Sequence, residues 1–165
     1  LTSRFNNSIT DTGGAGGDKS GINNSTPWDV SVAFYASKSK DISNESTSSR
    51  EIAFSSDGTK MYILEKTNHT VFQYTLTTAW DVSTASYASK SKDVSNEEGT
   101  PYGLAFSSDG TKMYIVGITN NTVYQYTLST AWDVSTASYA SKSKNVSDED
   151  SSPFAVAFSS DGSRA

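Results

Sequence analysis

Cysteine is absent from the 165 residues, so neither disulfides nor thiolate metal sites can hold this chain together. His69 is the single histidine, and a cluster of imidazoles for catalysis or metal binding cannot form within one chain. No apolar run approaches the roughly 18 residues that a membrane-spanning helix needs, and we predict no membrane insertion. The 18 acidic residues outnumber the 13 basic ones, and the lysines are spread along the chain, so we predict no nucleic-acid partner.

A motif built around tryptophan is present three times. The sequence Trp-Asp-Val-Ser begins at residues 28, 80 and 132, and both intervals are 52 residues. A second motif, Ala-Phe-Ser-Ser-Asp-Gly, begins at residues 53, 105 and 157 and has the same spacing. Repeats of about 40 to 50 residues are typical of propellers and solenoids, in which each unit buries its flat sides only against neighbouring units.

Each repeat contains the alternating pattern of β-strands. Residues 103–106 and 112–116 predict two strands on either side of a Ser-Ser-Asp-Gly sequence. This sequence predicts a tight turn, because Gly accepts positive φ and Asp caps such a turn. Residues 122–128 are rich in β-branched and aromatic side chains and predict a third strand. Residues 137–144 alternate small or polar residues with Lys and predict an outer edge strand. We therefore predict an all-β fold in which every 52-residue repeat is a four-stranded antiparallel sheet, a β-propeller blade.

The repeats divide the chain into two predicted domains. Residues 1–27 have lost the repeat and contain a Gly-rich loop, whereas residues 28–165 form the propeller repeats. Complete blades are predicted at about 50–94 and 101–146, with partial blades at both ends of the repeat region.

The partial blades leave the predicted ring incomplete within one chain. Residues 28–42 are expected to supply an outer strand of a preceding blade, and residues 153–165 an inner strand of a following one. Two blades cannot close a ring, since propellers typically need about four or more. We expect either further blades of a longer chain or identical chains that complete one another as a homo-oligomeric ring or a filament.

Residues 106–115, Phe-Ser-Ser-Asp-Gly-Thr-Lys-Met-Tyr-Ile, resemble the F-S-x-D-G-x-x-hydrophobic-Y-V motif of the YVTN and related bacterial propeller repeats. Together with residues 123–134, they make the region 28–165 similar to the tandem propeller repeats of large environmental bacterial and phage surface proteins. This resemblance implies an extracellular location, at a cell surface or on a virion, and adhesion, scaffolding or fibre roles. It carries over no active site, because the catalytic acids, histidine ligands and cofactor contacts of lactonase-type and quinoprotein propellers have no counterparts at recurring positions.

Trp28, Trp80 and Trp132 are the candidate ligand-binding residues. An exposed indole presents a flat face to a sugar ring, so the three residues could bind glycans at a rim. The alternative is that each Trp packs at the corner between the third and fourth strands while the following Asp caps the turn. We favour this second interpretation, because the Trp keeps one position in every repeat.

The loop after the fourth strand carries Asp93, Glu97 and Glu98, and this acidic sequence suggests a metal. Asp93, Asn96 and Glu97 could supply oxygen ligands to Ca²⁺, but their spacing matches no calcium-loop pattern, so we favour a solvated loop and expect no cofactor. Asn68 and Asn120 each begin an Asn-x-Thr triplet in equivalent loops. They are candidate glycosylation sites if the chain follows a secreted route.

Packing between blades is the expected basis of assembly. Burial of apolar area alone, at about 25 cal/mol per Å², would hold the blades together without a cofactor. The side chains expected to pack are Leu104, Phe106, Met113, Ile115, Tyr124 and Tyr126, with their counterparts one period away. The predicted function is an extracellular structural or adhesive propeller that self-associates through blade faces and is not an enzyme. A carbohydrate-binding propeller is the alternative, and a lactonase-like hydrolase is the third hypothesis.

Overall fold

A computed structural model describes residues 35–159 and 161–164 of the chain. Two units are distinguished, Leu1–Ala36 and Ser37–Ala165, and all the elements described below lie in the second. Trp28, the Gly-rich loop and residues 28–34 of the predicted outer strand 28–42 lie outside the described residues, and residues 35–42 form no strand. In the described part of the chain, no helix is long and apolar enough to cross a membrane.

Eight strands form two four-stranded antiparallel sheets, in which consecutive strands are neighbours. The first sheet contains β1 (Ser49–Phe54), β2 (Lys60–Glu65), β3 (Thr70–Leu76) and β4 (Ala85–Asp93), and the second contains β5 (Pro101–Phe106), β6 (Lys112–Gly117), β7 (Thr122–Leu128) and β8 (Ala137–Asn145). A short 3₁₀ turn, Val82–Thr84 or Val134–Thr136, precedes the last strand of each sheet. The prediction of an all-β fold with four-stranded antiparallel sheets is confirmed. Counterpart strands begin 52 residues apart, since β1 begins at 49 and β5 at 101.

The Asp-Gly turn joins the first two strands of each sheet. In the second sheet the backbone N–H of Ser107 donates to the carbonyl of Lys112 at 3.1 Å, and Gly110 has a φ of +70°. The Asp109 carboxylate accepts hydrogen bonds from the Ser107 hydroxyl at 2.6 Å and from the Thr111 N–H at 3.0 Å. These bonds, the one from the Ser107 hydroxyl above all, lower the pKa of Asp109 to about 2. The charged carboxylate therefore stabilises the turn.

A tryptophan corner lies on the Asp-Gly turn of each of the two sheets. Trp132 has a φ of +63°, and its backbone N–H donates to the carbonyl of Gly110 at 2.9 Å. A Cβ atom added at Gly110 would lie 2.3 Å from the Trp132 indole, so only glycine leaves room for the ring. Asp133 then caps the 3₁₀ turn by accepting from the N–H of Ser135 at 3.1 Å. Left-handed backbone is strained for a bulky residue, and the packing of the indole on the turn offsets that strain.

The two faces of each sheet carry different side chains. We call front the face that presents Met113, Ile115 and Tyr126 in the second sheet, and back the opposite face, which presents Tyr62 and Leu64 in the first. The front of the second sheet packs on the back of the first, and residues from both form one buried cluster. A separate cluster, which includes Met61, Ile63, Tyr74 and Leu76, covers the front of the first sheet.

Residues 153–159 of the predicted inner strand 153–165 do not form a strand in the structure. The turn of this segment has the expected bonds, since the Ser159 N–H donates to the carbonyl of Arg164 at 3.0 Å. Among the described residues, however, no neighbouring strand is paired with residues 153–159. A strand needs a hydrogen-bonded partner, so an alternating pattern alone does not produce one.

Candidate functional site

Three polar contacts join the two sheets beside the shared apolar cluster. The Tyr62 hydroxyl donates to the carbonyl of Trp132 at 2.8 Å, and the Val134 N–H donates to the Gln73 side-chain oxygen at 3.0 Å. The Lys90 ammonium pairs with the carboxylate of Asp133. All three therefore connect the back of the first sheet to the tryptophan corner of the second. Burial raises the pKa of Tyr62, so its hydroxyl keeps its proton and remains a donor.

A fourth contact comes from the loop after β4. The Tyr126 hydroxyl donates to Glu97 Oε2 at 2.7 Å, and Val94 is fully buried in the shared cluster. Lys90, Val94 and Glu97 thus belong to one segment, 90–97, that binds the neighbouring sheet through an ion pair, an apolar contact and a hydrogen bond. The residues between them are Ser91, Lys92, Asp93, Ser95 and Asn96.

The same contacts are present at the front of the first sheet. Lys38 pairs with Asp81, Ile42 packs against the apolar cluster of that face, and Glu45 Oε2 accepts from the Tyr74 hydroxyl at 2.8 Å. These three residues precede Lys90, Val94 and Glu97 by 52 positions. Segment 38–45 therefore contacts the first sheet as segment 90–97 contacts the second.

The back of the second sheet carries the counterparts of Tyr62, Gln73 and Lys90. Among the described residues, no tryptophan corner binds them. Tyr114 and Gln125 correspond to the buried Tyr62 and Gln73 but are only half-buried, and Lys142 is exposed. They line a cleft of about 540 Å³ together with Val123, Val146 and Glu149. Among the described residues, no carboxylate forms an ion pair with Lys142. We call this surface, formed by Tyr114, Val123, Gln125, Lys142 and Val146, the open back face.

One aromatic contact on the open back face is already present. The rings of Tyr114 and Phe158 lie 4.2 Å apart between centroids, close to the 4.4 Å that separates Tyr62 from Phe106. A Cβ atom added at Gly103 would lie 2.8 Å from the Cα of Ala155, which shows how closely residues 154–158 approach the second sheet. This segment occupies the position that β5 has on the first sheet.

A buried carboxylate lies at the other end of each sheet. Glu98 is fully buried, and its Oε1 accepts from the N–H groups of Thr100 at 2.9 Å and Thr119 at 3.1 Å. In the first sheet the fully buried carboxylate is Glu65, which accepts from the Asn68 N–H. The prediction of a solvated acidic loop is therefore wrong for Glu98, because its carboxylate satisfies backbone donors in the interior.

The structure places the two described tryptophans in different surroundings. Trp132 packs against Tyr62 and Phe106, with ring centroids 6.4 Å and 5.5 Å away. Trp80 contacts Phe54 at 5.6 Å and remains 59% exposed, because no preceding sheet covers it in the described residues. The corner position that the sequence predicts is thus shared by both, while Trp28 lies outside the described residues.

The acidic residues proposed for Ca²⁺ have other partners. Asp93 accepts from the N–H of Ser95 at 2.8 Å, and Glu97 accepts from Tyr126. Asn96 is exposed. Over residues 35–159 and 161–164, no group of three or more His, Cys, Asp or Glu side chains is placed to hold a metal ion.

The two asparagines proposed for glycosylation lie in the turns between the second and third strands and are both exposed. The Asn68 backbone N–H donates to Glu65. The side-chain nitrogen of Asn120 donates to the Tyr124 hydroxyl at 3.1 Å, so a glycan attached there would replace that bond.

The six residues proposed for blade packing share the front of the second sheet, where they belong to the cluster or border it. Leu104, Met113, Ile115 and Tyr126 are buried, and Phe106 and Tyr124 are half-buried.

Sequence reasoning missed the polar residues that join the sheets. Gln73 and Gln125 are the only glutamines of the chain and occupy equivalent positions, which is a signal that could have identified them. Lys90 is the counterpart of Lys142 in the predicted edge strand 137–144, and its ammonium binds the neighbouring corner.

No protein-family model matches the chain, and no curated protein matches it.

Proposed function

We propose that this chain is an extracellular structural or adhesive β-propeller module that self-associates through the faces of its sheets. The observation that carries the proposal is the contact of one sheet's back with the next sheet's front. Such a contact joins two different surfaces, so identical units added in this way produce a ring or a filament. The open back face keeps the residues that make this contact.

The proposal treats each four-stranded sheet as one propeller blade of the YVTN-like kind suggested by the sequence. It is supported by the order of the strands, by the Asp-Gly turn and by the 52-residue offset between counterpart strands. The outer strands β4 and β8 pair with β3 and β7, and each pairing contains a β-bulge. The register shifts between Gln73 and Tyr74 in the first sheet and between Gln125 and Tyr126 in the second. Bulged edge strands discourage pairing along the edge, which leaves the flat faces for association.

Sedimentation velocity of the purified chain over a dilution series tests the proposal. We expect the weight-average sedimentation coefficient to rise with concentration, and electron microscopy of the concentrated sample to show closed rings or fibres. A single species of monomer mass at every concentration would contradict self-association.

Carbohydrate binding is a second candidate, and the exposed indole of Trp80 favours it. A glycan stacked on Trp80 would change tryptophan fluorescence, and the Trp80→Phe variant would lose most of that change. Fluorescence that stays constant across a panel of neutral and acidic oligosaccharides would exclude this candidate.

A further inference from the structure

The open back face has a defined set of binding groups. In the contact between the two sheets, the equivalent groups bind a Trp-Asp-Val corner: Tyr62 binds the Trp carbonyl, Lys90 the Asp carboxylate and Gln73 the Val N–H. On the open back face the same groups are Tyr114, Lys142 and Gln125.

The sequence contains three Trp-Asp-Val motifs, and the described residues contain two sheets whose backs could bind one. The corner at 132–134 binds the back of the first sheet. The corner at 80–82 lies at the front of the first sheet, where Asp81 pairs with Lys38. The remaining motif is at 28–30 and has the same three residues.

The order of the contacts along the chain determines which sheet the motif at 28–30 can bind. A corner contacts the back of the preceding sheet, as Trp132 contacts Tyr62 of the first sheet. The lysine ten residues after each Trp contacts the corner of the following unit, as Lys90, ten residues after Trp80, pairs with Asp133. Lys38 follows Trp28 by the same ten residues and binds the corner at the front of the first sheet. The motif at 28–30 is therefore matched to the back of a sheet that would precede it. The described residues contain no such sheet before Lys38, whereas the second sheet of another copy offers a back of the right kind.

We propose that the open back face binds the Trp-Asp-Val segment at residues 28–30 of a second copy of this chain. Lys142 pairs with Asp29 of the second copy, the Tyr114 hydroxyl donates to the carbonyl of Trp28, and Gln125 accepts from the N–H of Val30. Segment 154–158, which already contacts the second sheet, then lies beside the incoming segment 28–30. Segment 38–45 stays in place in both copies, so the contact requires no displacement of it.

The contact with Glu97 is not reproduced. Position 22 corresponds to Tyr74 and Tyr126 but is Ile, which has no hydroxyl to donate to Glu149. Three of the four polar contacts between the sheets therefore have partners in the second copy, and the ion pair is the one that a charge reversal can test.

The inference rests on the proposed self-association, and charge reversal separates the two. We expect Asp29→Lys and Lys142→Glu each to weaken association in sedimentation velocity by about tenfold or more, because each places like charges together. The double variant, Asp29→Lys with Lys142→Glu, restores an ion pair of opposite direction and is expected to recover association to near the original level. Equimolar mixing of the two single variants is also expected to restore association. In the mixture, chains of the two kinds can alternate, and every contact then joins a cation to a carboxylate.

Two matched controls accompany these variants. Asp148→Lys makes the same charge change as Asp29→Lys at an exposed position outside the cleft, and Lys142→Arg keeps the cation. Asp148→Lys is expected to associate as the unaltered chain does, and Lys142→Arg to associate more strongly than Lys142→Glu. Asp29→Asn removes the charge but keeps a side-chain hydrogen-bond acceptor of similar size, so it shows whether a loss comes from the ion pair.

The outcomes distinguish the two proposals. Association that persists unchanged in Asp29→Lys and Lys142→Glu overturns this contact and leaves self-association through another surface. A double variant no stronger than the single variants also overturns it. Absence of association in the unaltered chain overturns both proposals.

Discussion

Among single residues, the turn aspartates make stability depend on pH. Hydrogen bonds from the Ser55 and Ser107 hydroxyls and from neighbouring threonines lower the pKa of Asp57 and of Asp109 to about 2, below the ordinary 3.8. Since the folded-state pKa is the lower one, the ionised carboxylates stabilise the fold above about pH 4, and this contribution is lost as the pH falls towards 2.

The double variant Asp57→Asn with Asp109→Asn tests this dependence. Asn keeps an acceptor for the turn N–H but does not titrate, so we expect the variant to lose less stability than the unaltered chain between about pH 4 and pH 2. Urea unfolding followed by circular dichroism at both pH values measures the difference. Equal losses in the two proteins would contradict the assignment.

The buried carboxylates predict a coupled pair of substitutions. Glu98 and Gly117 of the second sheet correspond to Ser46 and Glu65 of the first, so each sheet buries one carboxylate but takes it from a different position. A Cβ atom at Gly117 would lie 2.6 Å from the Glu98 side chain and 2.3 Å from the carbonyl oxygen of Thr100. The two glutamates therefore exclude each other within one sheet.

We expect Gly117→Glu alone to destabilise the chain by about 3 kcal/mol or more, because it overpacks the site and buries a second charge. Adding Glu98→Ser is expected to recover part of that loss, since it reproduces the arrangement of the first sheet. Urea unfolding of the two single variants and the double variant measures the coupling. Strictly additive effects would show that the two positions are independent.

At the scale of structural elements, the two described corners form a matched pair. Trp132 is packed between the sheets, and Trp80 is 59% exposed on an otherwise equivalent turn. Trp132→Ala is expected to cost about 3–5 kcal/mol of unfolding free energy, the range for a large buried ring. Trp80→Ala is expected to cost less than about half of that. Equal losses, measured by urea unfolding in dilute solution, would mean that the contact between the sheets adds nothing to the packing of the corner.

Strands and turns could be predicted from the sequence because their causes are local. Residues 122–128 alternate β-branched and aromatic side chains with polar ones, and the structure forms β7 over that range. The Asp-Gly turn follows from two adjacent residues, and Gly110 adopts the expected positive φ. The positive φ of Trp132 was not predicted, because a bulky residue adopts it only when packing elsewhere requires it.

The candidate site could be predicted only in part. Alternation identified Met113 and Ile115 as packing residues, since it assigns side chains to one face of a sheet. Alternation does not identify the partner that a polar side chain binds on another sheet. Gln73, for example, accepts from the N–H of Val134, which lies 61 positions further along the chain. Glu98 was misassigned for a related reason, because nothing in its acidic neighbours indicates that backbone donors of another loop surround it.

At the scale of the whole molecule, the two glutamines separate folding from assembly. Gln73 is buried and accepts from the Val134 N–H, so Gln73→Ala leaves a buried donor without a partner and is expected to cost about 1–3 kcal/mol in dilute solution. Gln125 is half-buried on the open back face, so Gln125→Ala is expected to leave dilute-solution stability nearly unchanged and to weaken association. Urea unfolding and sedimentation velocity measure the two effects. Equal destabilisation by both substitutions would place Gln125 in the fold of the single chain instead.

The contact of a front with a back also gives the molecule polarity. An assembly built in this way has two chemically distinct termini, and each accepts only one side of an incoming chain. Under the proposed contact, a chain whose open back face is damaged, such as the Lys142→Glu variant, still joins an assembly through its unaltered segment 28–30. Its own open back face then binds no further chain. A small fraction of such chains would act as terminators and shorten every polymer they enter.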